Sequence, residues 1–98
     1  MEISPKTPIE VIPVTFNYLA VMRGDAVLSA VITCEDEFGV AQPGMLQGAP
    51  DLSGRKVVQL VSGGVLGKRY FVTCLATFSK RPAALEAVAS FLVVDNVA

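Results

Sequence analysis

The chain has 98 residues, enough for one domain, and is 52% hydrophobic with only 17% charged residues, against usual shares of about 45–50% and 25%. Eight basic and nine acidic residues give a net charge of −1, and their scatter excludes the basic footprint of a nucleic-acid or membrane-surface protein. Histidine is absent, so the commonest general base near neutral pH and the commonest metal ligand are both missing.

No apolar run approaches the roughly 20 residues of a transmembrane helix. The acidic, proline-containing start does not read as a signal peptide, which points to a protein made in the cytoplasm and not exported by the general route.

Residues 1–13 carry Pro5, Pro8 and Pro13. Prolines at this density exclude a helix or a central strand and predict an extended N-terminal arm or a bulged edge strand. Residues 14–98 are expected to form a single domain. Its first inner strand is VTFNY, with Val14, Phe16 and Tyr18 on one face. Arg23-Gly24-Asp25 supplies turn chemistry; it spells an integrin-binding tripeptide, but without a secretion signal it reads as a strand connector. Residues 26–35 alternate Val27, Ser29, Val31 and Thr33 with Leu28, Ala30, Ile32 and Cys34, a strand whose wholly apolar face turns to the core.

From residue 36 to 56 the pattern fails, with Gly39, Pro43, Gly44, Gly48, Pro50 and Gly54 in close succession. A long connection is expected there, with a short edge strand near Met45 and Leu46. Loops longer than about 12–15 residues in a compact domain are usually functional or disordered. Glu35, Asp36 and Glu37 open this stretch without the spacing of a calcium loop, so they read as a solvated turn.

Residues 57–79 are the centre of the chain: strand, glycine corner, strand, read as a hairpin. Tyr70, Val72, Cys74 and Ala76 alternate with Phe71, Thr73, Leu75 and Thr77, and Gly63, Gly64 and Gly67 give the corner its backbone freedom. Tyr70 opens the second strand, as in a tyrosine corner, where a buried hydroxyl bonds back to upstream backbone. The glycines and Lys68 lack the spacing of a phosphate loop. Lys80-Arg81-Pro82 makes the next turn. Residues 83–94 fit helical spacing at Leu85, Val88, Ala89 and Leu92, yet also alternate into the β-rich FLVV; a strand is expected, because the sandwich needs a last strand beside the one holding Tyr70.

The elements together predict an all-β, immunoglobulin-like (fibronectin-III-like) antiparallel β-sandwich. Cys34 and Cys74 fall mid-strand and are expected as buried free thiols, with a disulfide as the alternative. Two cysteines without histidine do not fill a metal shell. No catalytic, cofactor or metal residues are expected. A small sandwich has no helices to cover itself, so the apolar excess predicts a partner surface. The expected contact residues are Ile3, Ile9, Val11 and Ile12 of the arm and Phe38, Val40, Met45 and Leu46 of the loop.

Phe16-Asn17-Tyr18, Gly24-Asp25, and Ser62-Gly63-Gly64 followed by Gly67, Tyr70, Val72, Thr73, Cys74 and Thr77, with the opening Glu2-Ile3-Ser4-Pro5-Lys6, resemble small virion proteins of tailed bacteriophages, the fiber–tail adaptor or neck-associated immunoglobulin-like family. The resemblance implies a non-enzymatic structural protein of the virion, joining the tail or head–tail connector to fibres. Its partners would be other virion proteins of neck, tail or fibre and further copies of itself, with neither nucleic acid nor membrane. Other readings are a carbohydrate-binding or adhesive module, which the lack of tryptophan and the two tyrosines disfavour, and a capsid decoration protein.

Overall fold

The computed structural model describes residues 6–7, 10–18, 26–79 and 84–94. These form six strands: β1 (Val11–Asn17), β2 (Val27–Asp36), β3 (Leu46–Ser53), β4 (Lys56–Ser62), β5 (Arg69–Phe78) and β6 (Leu85–Leu92), with one 3-10 turn at Pro43–Met45. All neighbouring strands pair antiparallel, in two three-stranded sheets ordered β1-β4-β3 and β2-β5-β6. Among the described residues no helix is long and apolar enough to cross a membrane.

Alternation decides which side of each strand meets the core. Val14 and Phe16 of β1 and Val57 and Val61 of β4 face Cys34, Val72, Cys74, Ala76, Ala89 and Phe91 of the other sheet. Each large side chain so buried contributes about 1.5–3 kcal/mol. Tyr18, just beyond β1, crosses between the sheets: its hydroxyl donates to the Cys74 carbonyl at 3.1 Å and its ring meets Phe78 edge-on at 5.3 Å. That bond lets the ring be buried without stranding its hydroxyl.

The structure corrects the sequence reading in three places. Residues 57–79 are not a hairpin: β4 and β5 belong to different sheets, and the glycine corner carries the chain across the core. Period two identifies a strand, but it carries no information about which sheet the strand joins. The short edge strand expected near Met45 and Leu46 is present but longer, because β3 occupies Leu46–Ser53 and returns to β4 through Gly54 and Arg55, so the 36–56 stretch is not one long connection. Gly54 has φ 58°, the backbone that the first position of a two-residue hairpin turn needs. Third, Leu28 is solvent-exposed and outside the core, because the β2–β5 register slips between Val27 and Ser29. Alternation is regular only from Ala30, Ile32 and Cys34 onward.

β1 starts at Val11, so Val11, Ile12 and Pro13 from the expected arm pair with Ser62, Val61 and Leu60. Pro13 is tolerated because β1 is an edge strand. Residues 85–92 are strand, as the sandwich requires. Cys34 and Cys74 are free and buried. Cys34 pairs with Val72 and Cys74 with Ile32, so the two thiols are out of register by two residues. Burial, with Glu35 nearby, pushes the Cys34 thiol up to about 11; burial also raises that of Cys74.

β3 is irregular for a reason. Its ladder is interrupted between Gln47 and Asp51, with Gly48 at φ 71° and Pro50 in the gap. The carbonyls stranded by this bulge are met by Gln59, a buried side chain among the apolar residues of β4. Its amide donates to the carbonyls of Gln47 and Gly48 at 3.2 Å each and of Leu60 at 2.9 Å.

Candidate functional site

Three segments meet at one end of the sandwich: the arm around Lys6, the loop after β2 and the corner between β4 and β5. The corner is fixed first. Tyr70 is buried and its hydroxyl accepts a hydrogen bond from the Val65 N–H at 2.8 Å; its ring stacks on Phe91 at 5.9 Å. The tyrosine thus bonds upstream backbone as the sequence led one to expect, but as acceptor. Substituting Tyr70→Phe leaves the Val65 N–H without that partner and is expected to lower stability by about 1–3 kcal/mol. An unchanged melting temperature would show that the bond contributes nothing.

Gly63, Gly64 and Gly67 have φ of 78°, 105° and 85°, and Gly64 is also enclosed. A Cβ there would lie 2.7 Å from Val93 Cγ2, 3.2 Å from Tyr70 Cε2 and 3.3 Å from Met45 Cε. The corner therefore rests on the end of β6, on β5 and on the 3-10 turn at once.

Lys6 ties the arm to this corner. Its backbone forms a parallel bridge with Val93, donating to the Leu92 carbonyl and accepting from the Val94 N–H. The side chain is fully buried, and its ammonium donates to the carbonyls of Thr7 and Gly63 at 2.6 Å each. Burial lowers its pKa, and the Glu10 carboxylate partly offsets this.

The loop after β2 is organised by Asp36. Its carboxylate accepts from the N–H groups of Phe38 at 2.9 Å and Val40 at 3.0 Å, closing a tight turn with Gly39 at φ 80°. Val40 donation, then that of Phe38 and the Lys68 charge, hold the carboxyl below its ordinary value against the opposing effect of burial. Lys68, from the corner, lies 3.9 Å from Asp36 and 5.8 Å from the Phe38 ring centroid. This is the physical link between loop and corner. The acidic run read as a solvated turn thus divides, with Glu35 and Glu37 in solvent and Asp36 buried.

Of the expected contact residues, Val11, Phe38 and Val40 are exposed, Phe38 to 76%. Ile12 and Leu46 pack partly against the core and Met45 is buried in it, so the fold itself uses these three. Ile3 and Ile9 lie outside the described residues, as does Arg23-Gly24-Asp25. Sequence reasoning missed Val65 and Leu66, both more than half exposed. They sit between the glycines of a corner read as purely structural, although two large apolar residues in a turn are themselves a signal. Phe38, Val40, Val65 and Leu66 are thus exposed apolar side chains on the two segments that Lys68 joins. Among the described residues no group of three or more histidine, cysteine, aspartate or glutamate side chains comes together to hold a metal ion.

Comparison with known proteins gives no match among curated proteins or among solved structures. One family model, described as podophage GP4 fiber-tail adaptor protein gp77, matches residues 6–90, a span that runs from Lys6 through the corner and most of β6. The chain belongs to the podophage GP4 fiber-tail adaptor protein family.

Proposed function

We propose that this chain is a non-enzymatic virion protein, present in several copies, that joins the tail or neck of a phage particle to its fibres. The family match over residues 6–90 carries the reading. The finer fold assignment is immunoglobulin-like. Its support is the strand order β1-β4-β3 against β2-β5-β6, the parallel bridge of Lys6 to Val93, and Tyr70 at the sheet-to-sheet corner.

The adaptor surface is formed by Phe38, Val40, Val65 and Leu66, with Val11 at the start of β1. Exposed apolar side chains on the corner and on the loop that Lys68 joins to it suit a protein that docks there. Deleting the arm is a poor test of this surface, because residues 1–8 include the buried Lys6. The double substitution Phe38→Ser, Leu66→Ser is cleaner, since both side chains stand in solvent.

The test is complementation of a phage lacking this gene, with quantitative mass spectrometry of purified particles. The unaltered protein is expected in particles, and the double variant to fold normally but be depleted roughly tenfold or more, as for loss of interface anchors. Absence of the unaltered protein from particles would sink the adaptor reading. Normal incorporation of the variant would remove this surface as its contact.

A further inference from the structure

The end of β6 is held from both edges. On one side the arm pairs with it: the Lys6 N–H donates to the Leu92 carbonyl and the Val94 N–H donates to the Lys6 carbonyl. On the other side lies the corner, where the Gly67 N–H donates to the Val93 carbonyl and the Val93 N–H donates to the Lys68 carbonyl. Successive residues of an extended strand send their backbone groups to opposite edges, so arm and corner flank Val93. The Lys6 side chain joins the two, because its ammonium reaches the Gly63 carbonyl of the corner at 2.6 Å.

This join is conditional. Lys6 is fully buried, and among the described residues its ammonium bonds two carbonyls, that of Thr7 in the arm and that of Gly63. A buried ammonium that loses an acceptor is strongly destabilised. The arm therefore closes over β6 only while the corner presents the Gly63 carbonyl, which it does through φ of 78° at Gly63 and 105° at Gly64. An apolar side chain at position 6 would dock whatever the corner did.

We infer that the arm is a strap and Lys6 its clasp: arm and corner close and open as one unit, and only the closed strap holds Val65 and Leu66 in a single arrangement. The foot of the strap is a turn, in which the Glu10 N–H donates to the Thr7 carbonyl at 3.2 Å and the Thr7 N–H donates to the Glu10 carboxylate at 2.6 Å. Glu10 itself stands in solvent. The strap stands on these bonds alone, whereas its bearing on docking rests on the contact surface proposed above.

Amide hydrogen exchange of the full chain, read residue by residue by NMR, tests it in two variants. Lys6→Met keeps the aliphatic stem and removes the ammonium. It should speed exchange at Val94 in the arm pairing, and at Val65 and Gly67 in the corner, together by about tenfold or more, as for loss of a hydrogen bond to a charged group. The β2–β5 ladder should keep its protection. Glu10→Ala cuts the Thr7 bond at the foot of the strap, far along the chain from the corner, and should speed the same three amides by a smaller common factor. Should Lys6→Met fail to fold, Glu10→Ala, at an exposed residue, carries the test alone. Faster exchange at Val94 while Val65 and Gly67 keep parental protection would show the arm releasing by itself and overturn the clasp. An equal rise across the β2–β5 ladder would overturn it too, since Lys6 would then serve global stability only. Exchange is read on the isolated protein, so failure of the adaptor reading would leave either result unchanged.

Discussion

Gly64→Ala is expected to destabilise the domain by about 3 kcal/mol, from a strained backbone and an overfilled site together. For a chain of this size that lowers the melting temperature by roughly 12–24 °C. Two independent penalties meet at this residue. Its φ of 105° is one that side chains rarely adopt, and the new methyl would fall 2.7 Å from Val93 Cγ2 with Tyr70 and Met45 closing the other sides. Gly63 separates the two. At φ 78° it has nothing within 4 Å of the added carbon, so Gly63→Ala should incur the backbone penalty alone, about 1–2 kcal/mol. Thermal unfolding of both variants gives the check: equal losses would mean that the enclosure of Gly64 carries no weight.

The second large effect belongs to Gln59. Replacing it with leucine keeps the volume nearly constant but removes the donor shared by the carbonyls of Gln47, Gly48 and Leu60. Unsatisfied acceptors in a part-buried site cost about 1–3 kcal/mol each at most, and relaxation toward solvent at the edge strand recovers some of it. The expected net loss is about 2–4 kcal/mol. Hydrogen exchange should localise the damage to β3 around residues 47–51, leaving the β2-β5-β6 sheet protected. A variant as stable as the parent would mean that the bulge carbonyls find water without difficulty and that Gln59 is dispensable.

Both residues show where sequence reading succeeds and where it stops. Val14, Phe16 and Tyr18, and Tyr70 through Ala76, announce their strands because regular alternation is what a two-sided sheet demands. β3 is silent because Gly48 and Pro50 break the period at the bulge, and the residue that repairs the bulge, Gln59, sits on another strand. Lys6 is similarly hidden, since nothing in a proline-rich arm marks one lysine for burial against Gly63. Phe38 and Val40 stand out in the sequence because they are apolar in a turn-rich stretch, and the structure leaves both exposed. That Lys68 joins their loop to the corner holding Val65 and Leu66 is not legible, because it depends on Lys68 reaching Asp36 across a corner that changes sheets.

The parallel bridge between Lys6 and Val93 has a mechanical consequence. In a parallel pair, a pull on the N-terminal side of Lys6 and a pull on the C-terminal side of Val94 act in opposite directions along one axis. Tension applied between them would slide the two segments past each other, stretching the bonds from Lys6 to Leu92 and from Val94 to Lys6 together instead of unzipping them one after another. The Lys6 ammonium, held by Gly63, resists the same displacement. A bridge loaded in this way yields all at once at a threshold force, and below that force it stays closed.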